Sequence, residues 1–237
     1  MTSLFFDASL SSKQDHHLIS EDESRHILRV LRKKIGDQIN LTNGQGDLFE
    51  AEIIGIKSKR CEVNINTHKF EDPLPYRLHI AIAPTKSSDR FEFFLEKATE
   101  IGITEITPLL CDNSERKRLN LKRCEKILQS AMKQSQRLYL PKLNEMIAFQ
   151  KFMDQDFKNH KKLMAHCDDG QQIYVLDKFE NEHNFCSLIG PEGDFSPQEI
   201  QIALSQGFEP VSLGEKRLRT ETAGLVIPQA LALKYRI

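Results

Sequence analysis

From residue 76 to the end of the 237-residue chain, short apolar runs alternate with amphipathic stretches, and that alternation permits few folds. Strand and helix in repeated succession give a mainly parallel sheet, because parallel neighbours need a crossover connection and a helix supplies it. The apolar runs fall at 78–83, 103–110, 162–166, 185–190 and 210–214. Between the first two, Asp89 with Glu92 three residues on predicts a capping-box start. Phe91, Phe94, Leu95 and Ala98 then form one stripe, and Gly102 suits the position just past the helix. Leu121, Cys124, Leu128, Ala131, Met132 and Ser135 line one face of a second helix. Ser196-Pro197-Gln198-Glu199 is a strong start, with Ser as cap, Pro at the first helical position and Glu at the third. Gly207 ends that helix. The last helix covers 220–236 and contains Pro228, where a kink is expected.

Residues 1–72 read differently. The stretches 38–42 and 47–56 flank Asn43-Gly44-Gln45-Gly46, a hairpin signal because Asn and Gly tolerate positive φ. Cys61, Val63 and Ile65 alternate along 59–66 as in a half-buried strand. Ile27, Val30 and Leu31 fall near helical spacing within 22–34. A small β-barrel with one short helix is expected. Pro73 and Pro75 favour extended backbone, so 71–75 reads as a linker between domains at 1–72 and 76–237.

Apolar residues at 39% and charged residues at 28% exclude a disordered chain. No run approaches 18 apolar residues, so no membrane span is expected. The first residues show no basic n-region or apolar h-region, which points to the cytoplasm. The five cysteines (Cys61, Cys111, Cys124, Cys167, Cys186) are scattered, with no C-x-x-C pair, and argue against a disulfide framework or structural zinc. His16-His17 and His166-Cys167 lack metal-site spacing, so no metal is expected. The net charge of −1 hides local imbalance. Residues 25–34 hold five Lys/Arg and no acid, and 114–137 hold eight against Glu115 and Glu125. Such segments track a phosphate backbone or form solvated helix faces; charge alone leaves both open.

Nucleotide motifs are missing. There is no G-x-x-x-x-G-K-[ST] and no G-x-S-x-G. Two other segments stand out. In the first, 188–195 (Leu-Ile-Gly-Pro-Glu-Gly-Asp-Phe), a buried strand runs into a glycine-containing loop and then a capped helix. Glycines there let backbone approach a ligand. In the second, 213–223, a short strand is joined to the last helix through three cations and Thr220-Glu221-Thr222. Each alone also reads as an ordinary βα turn.

Together, LIGPEGDFS and the LGxxxLRTETA pattern resemble the bacterial 16S rRNA (uracil-1498-N3) methyltransferase family of the SPOUT superfamily. RHILRVLR (25–32), PTKSSDRFEFFLEKATEIGITEITPL (84–109) and AMKQSQRLYLP (131–141) resemble further family blocks, so the likeness covers nearly the whole chain. Departures are Glu215-Lys216-Arg217 in place of Pro-Arg-Ile, Lys133 in place of Glu, Ser87-Ser88, and Pro228. The resemblance implies an α/β fold: a SPOUT-type parallel sheet with a C-terminal trefoil knot, plus a small N-terminal PUA-like β-barrel for RNA binding. It implies S-adenosyl-L-methionine as cofactor, a homodimer, and methyl transfer to N3 of a uridine in 16S rRNA of the small ribosomal subunit. The cofactor-binding residues it implies are Ala165, His166, Leu188, Ile189, Gly190, Pro191, Glu192, Gly193, Leu213, Gly214 and Leu218.

Uracil N3 must lose a proton before it attacks. If its pKa lies about 2.5 units above neutrality, deprotonation costs about 3.4 kcal/mol at ~1.36 kcal/mol per unit. A cation near the carbonyl oxygens offsets part of that. Arg219 is the expected cation, and Glu221 is expected to orient it or accept the proton; simple stabilisation of the helix start is the alternative for Glu221. RNA phosphates are expected at Arg25, Arg29, Arg32, Lys33, Arg116, Arg118, Arg123 and Arg137. Rival readings are a non-catalytic RNA-binding assembly factor, which cofactor binding would exclude, and a SPOUT enzyme acting at another RNA position.

Overall fold

The computed structural model describes residues 3–166, 173–179 and 182–237. The chain forms two compact units, one of Met1–Pro73 with Gln129–Leu140, the other of Leu74–Leu128 with Pro141–Ile237.

The first unit is built on five strands, β1 (Leu4–Phe6), β2 (His16–Leu18), β3 (Gln38–Thr42), β4 (Asp47–Lys57) and β5 (Arg60–Phe70). A short helix, α1 (Glu21–Arg25), continues into one π-helical turn at His26–Val30. The sheet order is β1-β3-β4-β5-β2, antiparallel except for β1 beside β3. The β3–β4 hairpin turns where expected, with Gly44 and Gly46 at φ +75° and +98°. Strand alternation puts Phe49, Ala51 and Ile53 of β4 into the core with Phe5, Ile39, Leu41 and Val63. Lys133, a departure from the family pattern, pairs here with Glu23.

The second unit carries the parallel sheet. Its strands are β6 (Arg77–Ile82), β7 (Glu105–Leu110), β8 (Lys142–Leu143), β9 (Ile147–Ala148), β10 (Lys161–Ala165), β11 (Ile173–Tyr174), β12 (Asn184–Ile189) and β13 (Glu209–Ser212). The order is β11-β13-β10-β12-β6-β7-β8, with β9 pairing β7, and every pairing is parallel. The connections use α2 (Ser88–Ile101), α3 (Leu121–Gln134, which belongs to the first unit from Gln129 on), α4 (Phe149–Met153), a 3-10 turn at Val175–Lys178, and α5 (Pro197–Ser205). The chain ends in α6 (Thr220–Tyr235), which contains Pro228. The alternation thus gives the expected α/β architecture.

Local signals fared unevenly. Ser196 caps α5 as expected: its hydroxyl accepts from Glu199 N at 3.3 Å, and Glu199 Oε2 accepts from Ser196 N at 2.8 Å. The capping box at Asp89 does not form. The helix starts one residue earlier, at Ser88, so Asp89 already has helical backbone and Glu92 instead pairs with Arg123 at 2.6 Å. Four cysteines are buried and free, and Cys167 lies outside the described residues. Burial pushes the Cys111 and Cys186 thiols well above the usual range, so they are poor nucleophiles. Among the described residues no helix is long and apolar enough to cross a membrane.

Candidate active site

Three strands end level. Ala165 of β10 lies opposite Ile189 of β12 on one side and Val211 of β13 on the other. Their carboxyl ends therefore open on the same side of the sheet, where ligands of parallel α/β folds bind. The chain leaving them encloses a cavity of about 940 Å³. Of the expected cofactor residues, Ala165, His166, Ile189, Gly190, Pro191, Glu192, Leu213, Gly214 and Leu218 line it. Leu188 does not: the pleat turns it into the core, where it is fully buried. Gly193 does not either. A Cβ there would stand 3.2 Å from Asn113 Cβ, so this glycine faces a neighbouring loop. Tyr174, Lys216, Arg217, Thr220 and Ala223 also line the cavity. Tyr174 carried no sequence signal, because β11 is only two residues long.

The loop after β12 is held in place by its neighbours. Asp194 N donates to Pro191 O at 2.9 Å, closing a turn, and Asp194 takes φ +62°. Asn113 Nδ2 donates to Gly193 O at 3.2 Å and Asp194 O at 3.0 Å. Lys86 N donates to Glu192 Oε1 at 2.9 Å. Gly190 is needed for a reason the sequence does not reveal. A Cβ there would meet the Phe195 ring at 3.0 Å and Asp194 Oδ1 at 3.2 Å. The ring, buried against Phe149, fills the space a side chain would take. Gly214 sits at φ +140°, where any other residue is strained.

The cavity wall carries both charges. Glu192 and Asp194 stand on the β12 loop, whereas Lys216, Arg217 and Arg219 stand with Glu215 on the β13 loop. Those three cations are exposed, so they are available to an anion. Arg219 lines the cavity, but Glu221 does not. Glu221 is buried in the first turn of α6, with Oε1 3.7 Å from Arg90 Nε and Oε2 without a hydrogen-bond partner. Arg90 was missed as a functional candidate, although it stands in the PTKSSDR block.

The RNA candidates separate. Arg25, Arg29, Arg32, Lys33 and Arg137 belong to the first unit, Arg116, Arg118 and Arg123 to the second. Arg25, Arg29, Arg32 and Arg118 are exposed, while Lys33 and Arg137 are half-buried. Arg25 pairs with Asp22. Arg116 is engaged within the protein. Its guanidinium donates to Thr85 O at 2.8 Å and to Lys86 O, tying two loops at the strand ends together.

Comparison with known proteins agrees with this geometry. The family model described as an RNA methyltransferase domain matches residues 72–232, and the RNA methyltransferase PUA domain matches 19–66. "Ribosomal RNA small subunit methyltransferase E" of Buchnera aphidicola is 33% identical over 222 residues, covering 90% of this chain and 87% of that protein. The crystal structure of a probable rRNA-methyltransferase from Porphyromonas gingivalis is 39% identical with TM-score 0.89, covering 99% of this chain and 98% of that one. A ribosomal RNA small subunit methyltransferase E from Neisseria gonorrhoeae, solved bound to S-adenosyl methionine, is 26% identical with TM-score 0.90, covering 99% and 98%. A family model matched over 72–232, with a relative of one-third identity sustained along nearly all of both chains, settles the kinship: the chain belongs to the RNA methyltransferase family represented by ribosomal RNA small subunit methyltransferase E.

Proposed function

We propose that the protein transfers a methyl group from S-adenosylmethionine to N3 of a uridine in 16S rRNA, at position 1498 in standard bacterial numbering. One observation carries this reading: the level carboxyl ends at Ala165, Ile189 and Val211 open into a single cavity with Arg219 on its wall. The cavity suits the cofactor. Its volume of about 940 Å³ lies within the ~300–1,000 Å³ of small-molecule sites. The loops at Ile189–Glu192 and Leu213–Leu218 line it, and the backbone of such loops can read an adenine edge and hold a bent ligand. Glu192 and Asp194 suit the cofactor's cationic sulfonium and ammonium groups. When bound, S-adenosylmethionine supplies the methyl, the carbon–sulfur bonding pair staying on sulfur as the N3–carbon bond forms.

The chain's own residues handle the nucleophile. Arg219 places a guanidinium beside a uracil carbonyl oxygen and stabilises the anion left when the N3–H bond breaks. Glu221, two residues on, takes that proton through a bridging water. Leu188 and Gly193 support the loop from behind. Arg25, Arg29, Arg32, Lys33, Arg118 and Arg137 position RNA phosphates, with Arg123 joining them once it leaves Glu92. Arg116 acts through the loop carbonyls it holds. The enzyme works as a cytoplasmic homodimer on the small ribosomal subunit.

The test is transfer of labelled methyl from S-adenosylmethionine to small subunits, with analysis of the modified nucleoside. The expected product is N3-methyluridine, and Arg219→Ala is expected to keep cofactor affinity while losing about 100-fold or more in turnover. Label at another nucleoside, or wild-type turnover in the variant, overturns the reading.

A further inference from the structure

We infer that Arg90 is a positioning residue for the methyl-transfer step, acting through Glu221; this rests on the reading of Glu221 as proton acceptor. The two helices that carry the pair meet for a definite reason. α2 follows β6 and α6 follows β13, strands of one parallel sheet, so both helices start on the side where the strands' carboxyl ends open. They pack through Gly224, where a Cβ would stand 2.8 Å from the Phe94 ring. Arg90 and Phe94 lie four apart on α2, and Glu221 and Gly224 lie three apart on α6. The close contact at Gly224 therefore sets Glu221 opposite Arg90, one turn nearer the helix starts.

The carboxylate of Glu221 is only 9% exposed. Its Oε1 lies 3.7 Å from Arg90 Nε, and its Oε2 is buried with no hydrogen-bond partner among the described residues. A buried carboxylate can be fully matched by the protein itself, and this unit contains one that is. Glu199 is buried as well, and both its oxygens accept from backbone: Oε1 from Asp112 N at 3.0 Å and Oε2 from Ser196 N at 2.8 Å. Leaving a buried acceptor unmatched is costly. Glu221 carries that cost beside Thr220, which lines the cavity. The arrangement serves a donor that arrives with the substrate. The ion pair with Arg90 draws one oxygen to its side, so that the other faces the incoming proton. Arg90 is 44% exposed and touches no cavity wall, so its part is to aim Glu221 rather than to contact the base.

A double-mutant cycle on the full-length enzyme tests this. Glu221→Gln, Arg90→Met and the double variant are assayed for methyl transfer to small ribosomal subunits at saturating S-adenosylmethionine. Cofactor affinity by calorimetry and thermal midpoint serve as controls. Glu221→Gln is expected to lose about 100-fold in kcat, and Arg90→Met about 10-fold or more, with cofactor Kd unchanged in both. Arg90→Lys recovers part of the loss. In the Glu221→Gln background, Arg90→Met adds no further loss, because it has nothing left to aim. A full loss in Glu221→Gln with none in Arg90→Met overturns the inference alone, as do losses that multiply in the double variant. Wild-type turnover in Glu221→Gln removes the proton acceptor itself, and the inference falls with it.

Discussion

Replacing Gly224 by alanine sets two physical effects against each other, and the structure decides which wins. Alanine in a helix interior is favoured over glycine by about 1 kcal/mol. That gain applies to α6, since Gly224 has ordinary helical backbone. Against it stands the contact with α2. The new Cβ would lie 2.8 and 2.9 Å from two atoms of the Phe94 ring and 2.9 Å from Ile82 Cδ1. Carbon atoms pack best at about 3.5–4.0 Å, so each contact is short by more than half an ångström. Phe94 and Ile82 are both fully buried, which leaves the ring nowhere to turn. Overpacking of this kind costs about 1–3 kcal/mol. The net effect is a destabilisation of about 1 kcal/mol, or a thermal midpoint lower by about 2–4 °C for a chain of this length. Because relief requires α6 to move off α2, the Arg90–Glu221 pair also separates, and kcat falls with it. Differential scanning fluorimetry with the methyl-transfer assay reads both. A Gly224→Ala variant with a raised midpoint and unchanged kcat would refute the close helix contact and the geometry built on it.

Gly190→Val is expected to weaken S-adenosylmethionine binding at least tenfold by calorimetry. The cause is displacement of the Phe195 ring, only 3.0 Å from the first added carbon, and with it the loop backbone; unchanged affinity contradicts this. His79 gives a pH prediction. It is buried, with Nε2 2.7 Å from Thr107 Oγ1, and burial, opposed only in part by Glu105, lowers its pKa to about 4. An unfolded histidine titrates near ~6.5, so the unfolded chain binds the proton first as pH falls. The stabilisation is complete above about 6.5 and is lost as pH falls toward the folded value, by about 2 kcal/mol between pH 7.5 and pH 5. Urea midpoints at the two pH values should therefore fall further for the wild type than for His79→Gln, and an equal fall in both would remove His79 as the cause.

Much of this was legible in the sequence wherever the signal is local. The hairpin at Asn43–Gly46 follows from residues that tolerate positive φ, and the start of α5 from a Ser–Pro–Glu arrangement that satisfies its own backbone. The α/β class follows from alternation alone. The site was legible only through the likeness of two loops to a known family, because what joins them is non-local. Nothing in 161–165, 184–189 and 209–212 states that β10 lies between β12 and β13; strand order depends on pairings across tens of residues. Side-chain direction was equally hidden. Leu188 sits inside the motif yet faces the core, since neighbours on a strand point to opposite faces. Arg116 looked like an RNA contact by charge, but two carbonyls claim its guanidinium. Gly190 suggested room for a ligand, whereas the space belongs to Phe195. Arg90 and Glu221 lie 131 positions apart, and only the packing of α2 on α6 at Gly224 brings them together.

Amide hydrogen exchange with and without S-adenosylmethionine tests the central claim most directly. The account predicts that saturating cofactor slows exchange in both Gly190–Asp194 and Leu213–Arg219, the two loops on opposite walls of one cavity. Protection of neither loop, or only of residues elsewhere in the chain, would contradict it.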